Sequence, residues 1–265
     1  MQRHSNEALD RDSSSDYQTS NIGFTDFLDA LKYHSNLKSF ELAQVDLGPH
    51  FAEKLCEPLS KNKYLEKINL SGCELRPQGV KFICEMAESM SCLRYINLSS
   101  NSCGDDGATY IANLIKANHN IQEIDLFRNG ISKEGGRKIG SALTENFIIH
   151  KLSIGDNEIK EKHKNSILQS VMFNTQYEKL KATNKRFGEF GYNLMAESII
   201  RWTSNSKFVE DKLIARLGHH EDEIDKKLAE LLIDPITGKI NHKPSTSMQM
   251  SIGALDTNVF MPDPK

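Results

Sequence analysis

Apolar residues recur along this chain with a fixed period of 28 residues. Each unit reads apolar-x-x-apolar-x-apolar, and from the second unit onward an Asn or Cys stands three positions after the last of these apolar residues. Five units follow one another without a change of register, and they begin at Leu37, Leu65, Leu93, Ile121 and Ile149. A period of this length is typical of a solenoid, in which each unit buries its apolar face only against its neighbours.

Two periodicities alternate within each unit. In the third unit, Ile96 and Leu98 alternate with polar residues, which favours a short strand. About a dozen residues later, apolar and small residues from Gly107 to Ile115 follow the spacing i, i+4, i+5, i+8, which favours a helix. The pattern therefore predicts an α/β solenoid of strand–turn–helix repeats, with a parallel sheet on the concave side, helices outside and a C-terminal helical cap.

The periodicity also predicts how the chain is divided. Four helices end at an Asn of the same repeat position, and Asn tolerates the left-handed conformation of a C-cap; these residues are Asn62, Asn118, Asn146 and Asn174. The predicted segments are a disordered arm (1–23), a capping helix (24–36, with Thr25 as N-cap), five repeats (37–176), a degenerate sixth repeat beginning at Tyr177 (177–204), amphipathic helices (205–233) and a flexible tail (234–265).

Composition narrows the class of partner and the compartment. The formal net charge of −3 favours a protein partner over nucleic acid. The sequence has no apolar run of about 18 residues and no secretory leader, so we expect no membrane span and a cytoplasmic monomer. The cysteines recur mainly at inward repeat positions, which favours buried free thiols in a reducing compartment.

The strand–turn–helix unit, with Leu-x-x-Leu-x-Leu-x-x-Asn/Cys-x-Leu and a glycine opening the helix, resembles the ribonuclease-inhibitor-like class of leucine-rich repeats. The resemblance covers about two thirds of the chain. It implies that Asn101, Asn129 and Asn157 bond the backbone of the adjacent turn and form a ladder. It also implies a recognition module rather than an enzyme. Intracellular bacteria make short proteins of this kind, so a bacterial effector acting in a host cytosol is one expected setting.

Catalytic, cofactor and metal sites find little support in the sequence. The glycines around Gly135 lack the Lys-Ser/Thr of a phosphate-binding loop, and Arg137 stands there instead. The run from His219 to Glu223 lacks the second His of a zinc-protease motif, because Ile224 occupies that position. We therefore predict no catalytic residue, no cofactor and no metal.

Two alternative functions remain open. Arg76 and Arg128 lie near repeat turns, and some relatives regulate small GTPases through an arginine that stimulates GTP hydrolysis. The segment from Asp234 to Pro244 is similar to the opening of a U-box, which would make the chain a ubiquitin-ligase adaptor. A turn built from Asp-Pro and Thr-Gly is the simpler interpretation of that segment.

The strand residues that face away from the core give the clearest indication of function. Tyr95 and Phe127 are aromatic residues on neighbouring strands, and Arg94 and Arg128 flank them. Aromatic and arginine side chains supply most of the binding energy of protein interfaces. We predict that a protein partner binds this surface, which comprises Arg94, Tyr95, Asn97, Glu123, Asp125, Phe127, Arg128, Lys151 and Ser153.

Overall fold

A computed structural model describes residues 14–187, 189–204, 206–219 and 222–242. For residues 14–22, 183–187 and 189–190 it describes the backbone alone. Within these ranges, helices and strands alternate through five repeats, and the chain after the last strand is mainly helical.

Five short strands form one parallel sheet in the chain order β1-β2-β3-β4-β5. They are β1 (Ser39–Glu41), β2 (Lys67–Asn69), β3 (Tyr95–Asn97), β4 (Glu123–Asp125) and β5 (Lys151–Ser153). The central residue of each strand is buried, and the residues on either side of it face away from the core. Neighbouring strands pair residues 28 positions apart, which confirms the predicted parallel sheet and its register.

The helices pack side by side in the order of the repeats and form the second layer of the solenoid. They are α1 (Ser14–Tyr33), α2 (Gly48–Ser60), α3 (Arg76–Glu88), α4 (Gly104–Ala117), α5 (Lys133–Glu145) and α6 (Glu161–Phe187). Three more helices follow, α7 (Glu189–Thr203), α8 (Lys207–His219) and α9 (Glu223–Leu232).

Small residues let helix α5 lie close to its neighbours. A Cβ atom on Gly135 would lie 2.5 Å from Asp105 Oδ1, and one on Gly136 would lie 2.4 Å from Ile159 Cγ2. Asp105 Oδ1 accepts hydrogen bonds from the backbone N–H groups of Ser132 and Gly135, at the start of α5. The glycines thus serve the packing of the repeats, and no phosphate-binding role is needed to explain them.

The predicted asparagine ladder is present in the interior of the solenoid. Asn129 Oδ1 accepts hydrogen bonds from the backbone N–H groups of Asn101 and Cys103 in the preceding repeat, at 3.1 and 3.3 Å. Its Nδ2 donates to the carbonyl of Leu98 at 2.9 Å. Asn101 and Asn157 bond the repeats before them in the same way. The turns after β2, β3 and β4 therefore depend on the asparagine of the next repeat, whereas Cys73 takes that position for the turn after β1 and donates from Sγ to the carbonyl of Leu42.

The second asparagine series forms another ladder, and the predicted left-handed C-cap is wrong. Asn118 and Asn146 end their helices with extended backbones (φ −96° and −97°). Asn146 Nδ2 donates to the carbonyl of Ile115, while its Oδ1 accepts from the N–H groups of Ile148 and Ile149. The side chain, and not a left-handed backbone, closes the end of the helix.

The described structure differs from the prediction at the N-terminus. Helix α1 begins at Ser14, so the second half of the predicted disordered arm is helical, and Thr25 lies inside the helix rather than at its N-cap. The rest of that arm lies outside the described residues. Phe24 and Phe27 pack against the core, and the ring centroids of Phe24 and Phe51 of α2 are 4.4 Å apart. This apolar contact extends the helix layer beyond the first strand.

The predicted sixth repeat has no strand at Tyr177. Helix α6 runs through this position, and Tyr177 is buried in a second apolar cluster with Phe147, Leu213 and Leu228. The interpretation as a repeat is wrong, because the residues that match the inward positions of the repeat lie on a continuous helix here. Helices α6 to α9 build the C-terminal cap around that cluster.

The cysteines are free thiols, as the sequence predicts. Cys73, Cys84 and Cys103 are buried, and Cys56 and Cys92 are partly buried. Burial raises the pKa of Cys103 to about 12, so this thiol is protonated at neutral pH and packs as a small apolar side chain.

Replacing Asn129 with alanine tests the ladder. The change leaves buried backbone groups without their partner, at a cost on the order of 1–3 kcal/mol each. The Lys133→Ala variant, at an exposed residue of the same repeat, is the control. We expect the Asn129 variant to have a clearly lower midpoint of thermal unfolding by circular dichroism. Equal midpoints for the two variants would contradict the ladder.

Candidate functional site

The outward strand residues form straight rows across the concave face, because each strand is in register with the next. One row contains Ser39, Lys67, Tyr95, Glu123 and Lys151, and a second contains Glu41, Asn69, Asn97, Asp125 and Ser153. The sheet therefore brings together six of the residues that we predicted as a binding surface. These are Tyr95, Asn97, Glu123, Asp125, Lys151 and Ser153.

The first row carries an ion pair between its last two residues. Lys151 Nζ donates to Glu123 Oε2 at 3.0 Å, and this hydrogen bond raises the pKa of Lys151 above its ordinary value. Tyr95 pairs with Glu123 in the sheet and is partly exposed beside this ion pair. The pair is exposed, so it contributes little to stability, and its charges remain accessible to a partner.

The second row shapes the loop at the end of the strands. Asp125 Oδ1 accepts a hydrogen bond from the backbone N–H of Phe127 at 2.9 Å, and Asn97 Oδ1 accepts one from Ser99 in the same way. These bonds fix the backbone two residues beyond each strand. They hold Phe127 at the edge of the concave face.

Phe127 is exposed, and its ring packs against the next repeat. Its side chain has 42% of its surface exposed, and its ring lies over Gly155 of the next repeat, where an added Cβ would be 3.1 Å from Cδ2. Next to it, Arg128 has a left-handed backbone (φ 53°), and its Nε donates to Asp156 Oδ2 at 3.0 Å. An exposed aromatic ring that is already fixed loses little conformational entropy on binding.

Tyr95 and Phe127 lie at different heights along the strand direction. Tyr95 pairs with Glu123, and Phe127 follows four residues later, which corresponds to about 13 Å along the strand direction. Arg94 lies at the opposite edge from Arg128, and its Nη1 donates to the carbonyls of Ser91 and Leu93. The predicted surface thus has two ends, one centred on Tyr95 and one on Phe127 and Arg128.

The sequence did not predict a cavity of about 610 Å³ where the concave face meets the cap. Gln122 and His150, which directly precede β4 and β5, line one side of it. The second half of α6, with Arg216 of α8 and Asp222 before α9, lines the other side. The cavity brings together residues that are far apart in the sequence, so no local pattern indicates it.

Two cations of α8 are buried where the cap joins the solenoid. Lys212 Nζ donates to the carbonyls of Leu143 and Asn146, at the end of α5, at 2.6 and 3.2 Å. Arg216 donates from Nη1 to the carbonyl of Phe147, and its Nη2 lies 3.3 Å from Asp225 Oδ2. Lys212 and Arg216 are four residues apart, so both lie beside the apolar stripe of α8. This spacing is the signal in the sequence from which their burial could have been predicted.

The other candidate sites form no metal centre in the described part of the chain. Among the described residues, no group of His, Cys, Asp and Glu is arranged to hold a metal ion, and no helix is long and apolar enough to cross a membrane. Part of the acidic run that follows His219 lies outside the described residues, and Asp222 caps α9 by accepting from the N–H of Asp225.

The U-box-like segment begins as a closed turn. Asp234 Oδ1 accepts hydrogen bonds from the N–H groups of Ile236 and Thr237, and Ile233 bridges to Ile240. The rest of the predicted flexible tail, after residue 242, lies outside the described residues.

A family model described as "Leucine Rich repeat" matches residues 61–84, 89–112 and 117–140. Comparison with curated protein sequences gives no match. One similar solved structure is titled "Leiomodin-1 Actin-Binding Site 2 (ABS2)" (TM-score 0.55, 16% identity), and the similarity covers 62% of this chain and 95% of that one. Another is the tropomodulin C-terminal domain of Caenorhabditis elegans (TM-score 0.53, 16% identity, 63% and 99% covered). At this identity the likeness shows a shared fold.

The buried ammonium of Lys212 makes the stability of the protein depend on pH. Burial, reinforced by the charge of Arg216, lowers the pKa of Lys212 to about 7 from an ordinary value of 10.5. The folded protein therefore releases this proton before the unfolded chain does. Between these two pKa values, the contribution of Lys212 to the free energy of unfolding rises with pH, by at most about 1.4 kcal/mol per unit.

Urea unfolding of the wild type and a Lys212→Met variant at pH 7, 8 and 9 measures this dependence. We expect the difference in unfolding free energy, wild type minus variant, to increase with pH. Lys226→Met removes an exposed lysine of α9 and should show no such trend. A difference for Lys212→Met that stays constant over this range would contradict the assignment.

Proposed function

We propose that this leucine-rich-repeat protein is a non-enzymatic recognition module that binds a protein partner on its concave face. The observation that carries the proposal is the exposed ring of Phe127, held over Gly155 at the edge of in-register polar rows. Aromatic side chains fixed at an exposed surface are typical of binding hot spots. Because the surface is preformed, a partner does not have to order it on binding.

The arrangement of Arg128 favours recognition over stimulation of GTP hydrolysis. Its guanidinium is engaged by Asp156 on the same surface, so it contributes to a fixed polar edge beside Phe127. A protein partner would meet an aromatic ring, an arginine and a carboxylate side by side at this edge. At the other end it would meet Tyr95 beside the Glu123–Lys151 ion pair.

Actin is the first partner to test, because the similar leiomodin structure is titled as an actin-binding site. The proposed compartment is the cytosol, and the free cysteines support it, since thiols stay reduced there. The sequence-based hypothesis of a bacterial effector in a host cytosol places the protein in the same environment.

The partner is identified by affinity capture from cytosolic extract, with purified actin as a separate arm. We expect a Tyr95→Ala/Phe127→Ala variant to lose the partner that the wild type captures, with binding weakened by roughly 30-fold or more, which corresponds to about 1 kcal/mol or more for each residue. The matched control is Tyr33→Ala/Tyr64→Ala, which removes two exposed aromatic rings outside the strand rows.

The single variants Tyr95→Ala and Phe127→Ala then show which end of the surface binds. Capture of the same proteins in equal amounts by the wild type and the concave double variant would overturn the proposal. Thermal unfolding of each variant confirms that it is folded before capture.

A further inference from the structure

The cavity between the concave face and the cap contains two cations that are almost completely buried. The Arg216 side chain is 1% exposed and the Lys181 side chain is 10% exposed. Both residues line the cavity. Burying a charge is costly unless it is paired, so each of these cations needs an acidic partner.

Each cation has a close carboxylate partner of its own. Arg216 Nη2 lies 3.3 Å from Asp225 Oδ2, and Asp225 also accepts a hydrogen bond of 2.6 Å from the hydroxyl of Tyr177. Lys181 Nζ donates to Asp222 Oδ2. These pairs place an opposite charge beside each buried cation.

One further carboxylate lies between the two cations and contacts both only loosely. Glu178 Oε1 is 3.7 Å from Arg216 Nη2 and 3.8 Å from Lys181 Nζ, beyond the usual length of a hydrogen bond. The Glu178 side chain is 46% exposed, on the surface of α6 that lines the cavity. Its carboxylate therefore occupies a position that attracts an anion, without being firmly held there.

We propose that this cavity binds a carboxylate from an acidic segment of a partner protein, which displaces the carboxylate of Glu178 from between Arg216 and Lys181. The identity of the ligand group follows from the group that already occupies the position. Lys179 and His150 also line the cavity, together with Asp222, whose carboxylate is already paired with Lys181.

The cavity is continuous with the surface proposed above as the protein-binding site. Gln122 and His150 line the cavity, and they directly precede Glu123 and Lys151 of the first row in the sequence. A segment that follows this row across the sheet reaches the cavity at its end. The inference thus rests on the proposed function for the source of the carboxylate and adds that the bound segment is acidic.

A Glu178→Gln variant tests the displacement, because it removes the internal competitor. Arg216 keeps Asp225 and Lys181 keeps Asp222 in this variant, so neither buried cation loses its close partner. The probe is a short fluorescein-labelled Glu/Gly peptide, and fluorescence anisotropy measures its affinity at low ionic strength. We expect Glu178→Gln to bind the peptide about fivefold more tightly than the wild type, the size expected for one partly exposed ion pair.

The control is Glu158→Gln, which makes the same change in net charge at an exposed residue outside the cavity lining. It should bind like the wild type, and a Gln/Gly peptide should bind none of the three proteins. Equal affinity of Glu178→Gln and Glu158→Gln for the Glu/Gly peptide would overturn the proposal.

The same measurement separates this inference from the proposed function. The gain from Glu178→Gln reports the cavity, so it should persist in the Tyr95→Ala/Phe127→Ala background. If Glu178→Gln still raises the peptide affinity in that background and the double variant captures the partner as the wild type does, the cavity proposal stands and the concave-face proposal is rejected. Loss of capture without any gain from Glu178→Gln would do the reverse.

Discussion

Buried asparagine side chains hold the repeats of this protein to one period. The turns after β2, β3 and β4 have backbone N–H groups that face the interior, and the side-chain oxygen of the next repeat's asparagine accepts from them. Leaving such groups unpaired costs on the order of 1–3 kcal/mol each, so a change of repeat length would break several bonds at once. The constant register places the strand residues in straight rows, and the concave surface is a consequence of that register.

A solenoid must also end, and here the chain uses helices rather than another repeat. Asn174 of α6 continues the second asparagine ladder by donating to the carbonyls of Asn146 and Ile149. Lys212 of α8 then bonds the carbonyls at the end of α5, where backbone groups would otherwise lack partners. The buried cations of the cap therefore serve as polar attachments to the solenoid, and Arg216 also forms part of the cavity wall.

The parts of the fold that repeat could be predicted from the sequence, and the parts that occur once could not. The sheet register follows from the 28-residue period, since it fixes which residues pair. The asparagines at the helix ends were misinterpreted because both a left-handed C-cap and a side-chain bond favour Asn, and the sequence does not distinguish them. Tyr177 was assigned to a new repeat because the apolar pattern of the repeats continues in the sequence there. In the structure, helix α6 runs through this position.

The candidate site shows the same division. The strand rows were predictable because alternation determines which side chains face outward. The separation of Tyr95 from Phe127 depends on their positions along paired strands. Each of them has an arginine next to it in the sequence, and this similarity made them look like parts of one cluster. The cavity depends on contacts between α6, α8 and the end of the sheet. Such contacts are set by tertiary packing and leave no periodic trace.

A partner that binds the concave face, and not the helical side, would lie against the loops that follow the strands. Site-specific photo-crosslinking distinguishes the two faces. The crosslinking residue is placed either at Ser99, in the loop after β3 and beside Phe127 of the loop after β4, or at Glu85, an exposed residue of α3. We expect a covalent adduct with the captured partner from position 99 and none from position 85. An adduct from position 85 with none from position 99 would contradict this expectation.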